Sequence, residues 1–414
     1  MKSFLWILLL ALVFLSCVVF WAMRPDASSE VYVTIPVACI SPRTPVLSGS
    51  PEAGGDDILV AVIEAATGDA SEVNKVLFDG AAFAVRQLNE AGGVLGRKIR
   101  LLRFDNESTP LGSKSAAERA VQAKVCAVIG PARSSFAMAM GPILQTNGIP
   151  MITPSATNPK VTEIGDCIFR MCYTDAFQGL LAAQFARDSL KAKTAAVIVN
   201  ANLIYCVDLA SVFCKEFIHQ GGRIVATPSY LDATTDYRSV LEAIQRGMPD
   251  VIFVPSEPRD TGFIIKQARM MGIHSQFLGS DSWTEQVWSF AGPVAEGSYF
   301  ISFWHRDINN PLSKSFQARY EKEVGPISTA VIPLTCDAVM LLADAIRRAG
   351  STDHAAIRSA LAATTDFKGI TGPIRFDADR NPVNKFGVIL QLHNGKAIYK
   401  QVVDPRQLPM MEAK

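Results

Sequence analysis

An alternation of short apolar runs with helical patterns, which occurs twice along the chain, constrains the fold most strongly. The first series begins with the strand-length run Ile58–Ala66 and continues with a helical pattern over Val76–Asn89 that ends at Gly92 and Gly93. The apolar runs KIRLLRFD, CAVIG and PMIT then alternate with helical patterns at 113–124 and 134–145. This βαβαβα order predicts a mainly parallel sheet with helices on both faces, and so a first Rossmann-like lobe.

A second series of the same kind starts at Thr194–Asn200 and runs through GGRIVATPSY, DVIFV and SQFLGS, with helical patterns between these runs. It predicts a second Rossmann-like lobe, which a chain of 414 residues is long enough to build. The tail differs, because helical patterns at 333–349 and 354–363 precede the strand-like runs IRFD, FGVILQLH and AIYKQVV. These late elements must complete one lobe, the other, or both.

The N-terminal segment Phe4–Met23 contains no charge and is long enough to cross a bilayer as a helix. Residues 1–24 are predicted to be a signal anchor, because the apolar run continues through Trp21, past the usual length of a cleavable signal peptide. A cleaved signal and a lipoprotein signal with lipid on Cys17 are the alternatives. Residues 25–56, rich in Pro, Ser and Gly, are predicted to be a linker. Each alternative places the remaining chain outside the cytoplasm.

Composition and motifs argue against several classes of function. The net charge of +1 offers no basic excess for nucleic acid. The segment Gly92–Gly96 joins a helix to a strand and so is not a nucleotide-binding turn, and neither the eight cysteines nor the five histidines show zinc-binding or catalytic spacing. We therefore predict no enzyme, no cofactor and no metal. Cys167 and Cys172 flank a short strand-like run, and a disulfide between them is left open.

Small polar residues and one acid follow three predicted strands at their carboxyl ends, where open α/β sheets bind ligands. Ser134 and Ser135 follow CAVIGP and open a helix, a combination of hydroxyl and free N–H groups that suits a carboxylate. The loop 154–159 (PSATNP) ends at the same edge of the sheet, and Asp281 occupies the equivalent edge of the second lobe. Helix capping explains Ser134 and Asp281 equally well at this level.

Several stretches, in order from Ile58 to Val402, resemble the type I periplasmic binding proteins of the leucine/isoleucine/valine-binding kind, which deliver ligands to ABC transporters. They include FDGAAFAVRQLNEAGGVLGRKIRLL, CAVIGPARSS, GIPMITPSATNP, FQGLLAAQFA, IKQARMMGI, FLGSDSW and AEGSYF. The resemblance implies two α/β lobes joined by three crossovers, which we place near Tyr173, Phe303 and Gly387. Residues 57–173 and 304–387 would then form lobe 1, and residues 174–303 and 388–405 would form lobe 2.

The same resemblance nominates residues for holding an amino acid. Its carboxylate is expected to bind the ARSS loop, at Ser134 and Ser135, and the Pro-Ser-Ala-Thr loop, at Ser155, Ala156 and Thr157. Its ammonium group is expected to bind the acid at Asp281, so that both ends of a zwitterion form charge-assisted hydrogen bonds in a closing cleft.

Three positions depart from the pattern of the family. Tyr205, displaced by about one residue, is expected to close over the ligand, while Glu257 stands where relatives place a tyrosine. Arg133 lies beside Ser134 in the first loop. Glu257 and Arg133 indicate a side-chain pocket more polar than one for leucine, unless both are solvated rim residues.

These patterns predict an extracytoplasmic solute-binding protein that captures an amino acid or related small zwitterion and delivers it to an ABC permease. The alternative is a ligand-sensing ectodomain of the same fold that acts through a partner protein. A dehydrogenase on Rossmann-like lobes fits less well, because the glycine fingerprint for a dinucleotide is missing.

Overall fold

The computed structural model describes residues 56–408 and contains two large β-sheets with helices packed on them, together with two short two-stranded sheets. The strands are, in chain order, β1 (Ile58–Glu64), β2 (Ile99–Asp105), β3 (Ala127–Ile129), β4 (Met151–Thr153), β5 (Ile168–Arg170), β6 (Thr194–Val197), β7 (Val199–Asn200), β8 (Arg223–Ala226), β9 (Ser229–Tyr230), β10 (Val251–Val254), β11 (Gln276–Gly279), β12 (Tyr299–Ser302), β13 (Phe367–Gly369), β14 (Gly372–Ile374), β15 (Gly387–His393) and β16 (Lys396–Val403).

The α-helices are α1 (Ser71–Asn74), α2 (Val76–Glu90), α3 (Pro110–Gln122), α4 (Ser134–Thr146), α5 (Lys160–Glu163), α6 (Asp175–Gln184), α7 (Ile204–His219), α8 (Arg238–Gly247), α9 (Pro258–Met270), α10 (Gln286–Ala291), α11 (Pro311–Glu323), α12 (Val331–Ala349) and α13 (His354–Ala362). A π-helical turn, Phe185–Ser189, continues α6, and 3-10 turns occupy Gly292–Ala295 and Pro405–Gln407.

The first sheet has the strand order β2-β1-β3-β4-β5, and all of its pairings are parallel. Strand β1, which lies between β2 and β3, is buried on both faces, and this explains its nearly continuous apolar sequence. Ala61 and Ile63 join a core with α3 and α4, while Val60 and Val62 join the core on the opposite face with α2 and α12. This confirms the predicted α/β arrangement, with helices on both faces of the sheet.

The second sheet is mixed, with the order β16-β15-β12-β11-β10-β6-β8. Strands β6, β8, β10, β11 and β12 run parallel, whereas β15 and β16 are antiparallel additions at one edge. Two of the strands predicted in this part of the chain were wrong as single units. Thr194–Asn200 divides into β6 and β7, and GGRIVATPSY divides into β8 and β9, because the β6–β8 register shifts after Ala195 and the chain then pairs β7 with β9 separately.

The tail of the chain contributes to both lobes. We call the first sheet and the helices packed on it the first lobe, and the second sheet with its helices the second lobe. Helix α12 packs along α2 in the first lobe, whereas β15 and β16 complete the second sheet. Of the predicted strand IRFD, only Ile374 lies in a strand, as the last residue of β14, which pairs with β13. The exact residue boundaries of the two lobes stay a prediction.

Two buried charged residues and their hydrogen bonds hold the chain in place just before β15. Lys385 and Asp337 are each about 1% exposed. Lys385 Nζ donates a hydrogen bond to the carbonyl oxygen of Thr371 at 2.9 Å, and Asp337 accepts hydrogen bonds from the backbone N–H groups of Ile370 and Thr371 at 2.7 and 2.8 Å. Burial lowers the pKa of Lys385 to about 8, although the nearby Asp337 carboxylate acts in the opposite direction. The network ties α12 to the segment between β14 and β15.

Within residues 56–408, no helix is both long enough and apolar enough to cross a membrane. The anchor predicted at residues 1–24 and most of the predicted linker lie outside the described residues.

Candidate functional site

A cavity lies at the carboxyl ends of strands from both sheets, with walls from the first and second lobes. In the first sheet it adjoins the loop after β3, where the strand order reverses beside β1, the position at which open α/β sheets bind ligands. Its volume is about 710 Å³, open solvent at its mouth included, which suits a small molecule. The predicted residues on its wall are Ser134, Ser135, Ser155, Thr157, Tyr205, Glu257 and Asp281.

Hydrogen bonds between side chains and backbone join the two loops of the first lobe. Ser134 Oγ accepts a hydrogen bond from the N–H of Asn158 at 3.2 Å, and Ser155 Oγ donates to the carbonyl oxygen of Ala132 at 3.3 Å. Gly130 lets the chain that leaves β3 pass close to β1, since it has φ +97° and a Cβ there would lie 2.3 Å from the carbonyl oxygen of Ile63. The loops therefore present one continuous polar wall.

Arg170, at the end of β5, holds the second of these loops, residues 154–159, by hydrogen bonds. Its guanidinium is fully buried and donates to the carbonyl oxygens of Ala156 at 2.7 Å and Asn158 at 2.8 Å. The prediction that Ala156 contacts the ligand is not supported by this placement, because Ala156 is fully buried and absent from the cavity wall. Its carbonyl oxygen is held by Arg170, and its N–H donates to Thr153 Oγ1 at 3.1 Å.

The second lobe contributes an acid held in place by two neighbours. Asp281 Oδ1 accepts hydrogen bonds from Tyr205 Oη at 2.7 Å and Gln178 Nε2 at 2.5 Å, and the Asp281 N–H donates to Gln178 Oε1 at 2.8 Å. Burial raises the pKa of Asp281 to about 6, while the hydrogen bonds from Tyr205 and Gln178 act to lower it. The carboxyl can therefore carry its negative charge at neutral pH.

A tightly packed turn fixes the backbone around Asp281. A Cβ on Gly279, the last residue of β11, would lie 2.1 Å from the ring of Trp283, so only glycine leaves room for that ring. The Trp283 Nε1–H donates to the carbonyl oxygen of Val254 at 2.9 Å, which joins this turn to the end of β10. Trp283 is 2% exposed, so the turn has a rigid apolar base.

Arg133 and Glu257 form an ion pair between the two lobes. Arg133 precedes α4 and Glu257 precedes α9, and their Nη2 and Oε1 atoms are 3.2 Å apart. A second acid, Asp69, approaches Arg133 Nη1 to 3.7 Å. The side chains of Arg133 and Glu257 are 19% and 27% exposed, so they are wall residues more than solvated rim residues.

Behind the wall lies an acid that the sequence patterns did not single out. The N–H of Asp175, in the first turn of α6, donates to the carbonyl oxygen of Thr157 at 3.0 Å. The Asp175 carboxyl is fully buried, and the Thr157 hydroxyl lies beside it. Burial raises the pKa of Asp175 to about 8, and the charge of Asp281 adds to this effect.

Gln178 and Asn74 are two further residues of the site that were not predicted from the sequence. Gln178 lies within FQGLLAAQFA, a stretch that carries the family resemblance, so that stretch offered a signal for it. Asn74, on the wall from α1, follows no strand and had no such signal. Elsewhere in residues 56–408, no group of three or more metal-ligating side chains is present, and the described cysteines, including Cys167 and Cys172, are free thiols.

Residues 57–396 match the family model described as periplasmic binding protein. The chain is also 28% identical, over 328 residues, to the leucine-, isoleucine-, valine-, threonine- and alanine-binding protein of Pseudomonas aeruginosa. That match covers 78% of this chain and 86% of the relative.

Two solved structures extend the similarity to three dimensions. A leucine-binding protein from Thermotoga maritima has a TM-score of 0.81 and 31% identity, covering 85% of this chain and 100% of its own. A branched-chain amino acid transporter substrate-binding protein from Streptococcus pneumoniae, in complex with isoleucine, has a TM-score of 0.80 and 30% identity, covering 84% of this chain and 100% of its own. With its fold, its cleft and the family match across most of its length in agreement, this chain belongs to the periplasmic binding protein family.

Proposed function

We propose that this chain is the extracytoplasmic solute-binding protein of an ABC transporter and captures an amino acid or related small zwitterion between its lobes. One observation carries the proposal: the polar loops that hold Ser134, Ser135 and Thr157 and the ionisable carboxyl of Asp281 line one cavity from different lobes. A zwitterion offers a complementary group to each, so it favours the closed arrangement of the lobes by bridging them.

Each site residue has a role in this proposal. The ligand's carboxylate accepts hydrogen bonds from Thr157 Oγ1, from the serine hydroxyls and from the free N–H groups in the first turn of α4. Its ammonium group donates to Asp281, which Tyr205 and Gln178 hold in position. No covalent step is required, in keeping with a family of solute-binding proteins.

A relative supports the proposed partner, and the N-terminal sequence supports the proposed location. The Streptococcus pneumoniae protein is a transporter substrate-binding protein, which supports an ABC permease as the partner of this chain. We propose that residues 1–24 anchor the protein at the membrane, as an uncleaved helix or through lipid on Cys17, because the run Phe4–Met23 is apolar and uncharged.

The test is isothermal titration of the purified full chain with a panel of the common amino acids. We expect at least one to bind, and Asp281→Asn to weaken that binding at least tenfold, because a hydrogen bond to a charged group contributes about 2 kcal/mol. The matched control is Asp236→Asn, which removes an exposed carboxylate outside the cavity wall. A panel without any binding, or an Asp281→Asn variant that behaves like the control, would contradict the proposal.

A further inference from the structure

The cavity wall carries a second set of polar groups, Asn74, Arg133 and Glu257, that the binding of a bare zwitterion does not use. Asn74 and Arg133 belong to the first lobe and Glu257 to the second. All three lie on the wall of the same cavity as Asp281 and Thr157. They therefore bear on what the remainder of the ligand must be.

Asn74 supplies a hydrogen-bond donor that lacks a partner. The residue is 6% exposed, and Nδ2 is buried without an acceptor among residues 56–408. A buried N–H group without an acceptor is costly, and a ligand oxygen within this cavity would remove that cost. The position of Asn74 thus indicates an acceptor atom on the ligand.

Arg133 and Glu257 leave hydrogen-bonding capacity free on both partners. They meet at a single contact of 3.2 Å, and the 3.7 Å separation between Arg133 Nη1 and Asp69 exceeds hydrogen-bond distance. A guanidinium has five donors and a carboxylate has about four acceptor positions, so both groups can also bind a ligand. Arg133 adds a donor to that of Asn74, and Glu257 adds an acceptor.

The ion pair between Arg133 and Glu257 disfavours a charged ligand side chain of either sign. An acidic group would compete with Glu257 for Arg133, and a basic group would compete with Arg133 for Glu257, so either one would leave a partly buried charge without its partner. A wholly aliphatic side chain fails for another reason, since it leaves Asn74 Nδ2 and the free donors of Arg133 without acceptors in a closed cleft. A neutral group with both an acceptor and a donor satisfies all three residues.

The apolar residues of the wall indicate which part of the ligand lies between its neutral polar group and its zwitterionic end. Val73, Leu203, Ile204 and Val331 line the same cavity. Methylene groups of a short side chain can pack on these residues while its end reaches the polar set.

We infer that the ligand's side chain is a short aliphatic chain ending in a carboxamide, whose oxygen accepts from Asn74 and Arg133 and whose NH₂ donates to Glu257. This inference rests on the proposed function, because it assumes that an amino acid occupies the cavity. Glutamine and asparagine are the natural probes of this chemistry.

The test compares glutamine, asparagine, leucine, glutamate and lysine by titration into the full chain. We expect glutamine or asparagine to bind at least tenfold more tightly than the other three. Asn74→Leu and Glu257→Met should each remove most of that preference, by weakening the amide ligand at least tenfold while leaving leucine unchanged or stronger. The matched control is Asn147→Leu, which replaces an exposed asparagine at the C-terminal end of α4 and should keep the preference.

Folding is checked by the unfolding temperature of each variant without ligand. If Asn74→Leu fails to fold, Asn74→Asp keeps the shape of the side chain, replaces its donor by an acceptor, and should also abolish the preference. Leucine binding more tightly than both amides, or an unchanged preference in the Asn74 and Glu257 variants, would overturn the inference while leaving amino-acid capture intact. Binding of none of these ligands or other amino acids would instead overturn the proposed function.

Discussion

Asp175 shows how a buried acid can make the stability of this protein depend on pH. Its carboxyl is fully buried beside Thr157, and burial raises its pKa from an ordinary value of 3.8 to about 8. In the folded protein it is therefore protonated at neutral pH, whereas in the unfolded chain it is ionised. The unfolded chain binds fewer protons between these two values, so rising pH favours unfolding in that interval.

We expect Asp175 to be a source of lost stability between about pH 4 and pH 8. The free energy of unfolding of the wild type should fall across this interval relative to Asp175→Asn, by a few kcal/mol, since each pKa unit corresponds to about 1.4 kcal/mol. Urea unfolding of both proteins at several pH values measures the difference. Asp188→Asn, which removes an exposed carboxylate, is the matched control. Parallel profiles for the wild type and Asp175→Asn would refute this assignment.

At the scale of elements, the alternating runs predicted most of the strands and helices, because burial of parallel strands and amphipathic helices is written into local sequence. The conformation of the loops was harder to predict from the sequence. The family resemblance nominated Ala156 as a ligand contact, yet Arg170, at the end of β5, donates a hydrogen bond to its carbonyl oxygen, and its side chain is buried. Gln178 reaches Asp281 only because α6 crosses to the second lobe. The late strands could not be assigned either, since pairing of β15 with β12 depends on contacts far apart in sequence.

The loop 154–159 should depend strongly on Arg170. Arg170→Met removes the donors to the carbonyl oxygens of Ala156 and Asn158 and leaves both buried, so we expect a loss of about 3 kcal/mol or more in the free energy of unfolding. Ligand affinity should also fall at least tenfold, because Thr157 belongs to this loop.

Arg187→Met is the control for that experiment, since Arg187 also donates to two carbonyl oxygens, those of Ala192 and Gln220, away from the cavity. It should lower stability without changing affinity. Equal affinities for the ligand in the Arg170 and Arg187 variants would mean that Arg170 supports the fold but not the loop's binding geometry. Chemical denaturation and titration calorimetry separate the two effects.

For the whole molecule, the proposed capture of a ligand implies an equilibrium between open and closed lobes. Contacts already join the lobes in the described conformation, where Asp208 on α7 accepts hydrogen bonds from Asn158 Nδ2 at 2.8 Å and Lys160 Nζ at 3.0 Å. Together with the Arg133–Glu257 pair, these contacts link the lobes without any ligand. The free energy that they contribute is added to that of the ligand in favour of closure.

Removing these contacts should open the ligand-free protein. We expect Asp208→Ala to increase the radius of gyration measured by small-angle scattering without ligand, and to weaken binding by no more than roughly fivefold, because partly exposed pairs contribute about 1 kcal/mol. Saturating ligand should return the variant to the dimensions of the wild type. Asp344→Ala removes an ion pair within one helix and should leave the dimensions unchanged. The same radius of gyration for Asp208→Ala and the wild type would contradict this expectation.

The buried lysine near the end of the chain also bears on the path of that motion. Lys385 is bonded to Thr371 on the first-lobe side, and Gly387 already pairs within β15 of the second sheet, so Phe386 alone separates two anchored points. A one-residue connection can bend but cannot stretch or slide. We expect this crossover to act as a pivot. When the lobes open, the gap between them should be narrowest near Phe386 and widest at the opposite side of the cleft, where the solute would enter.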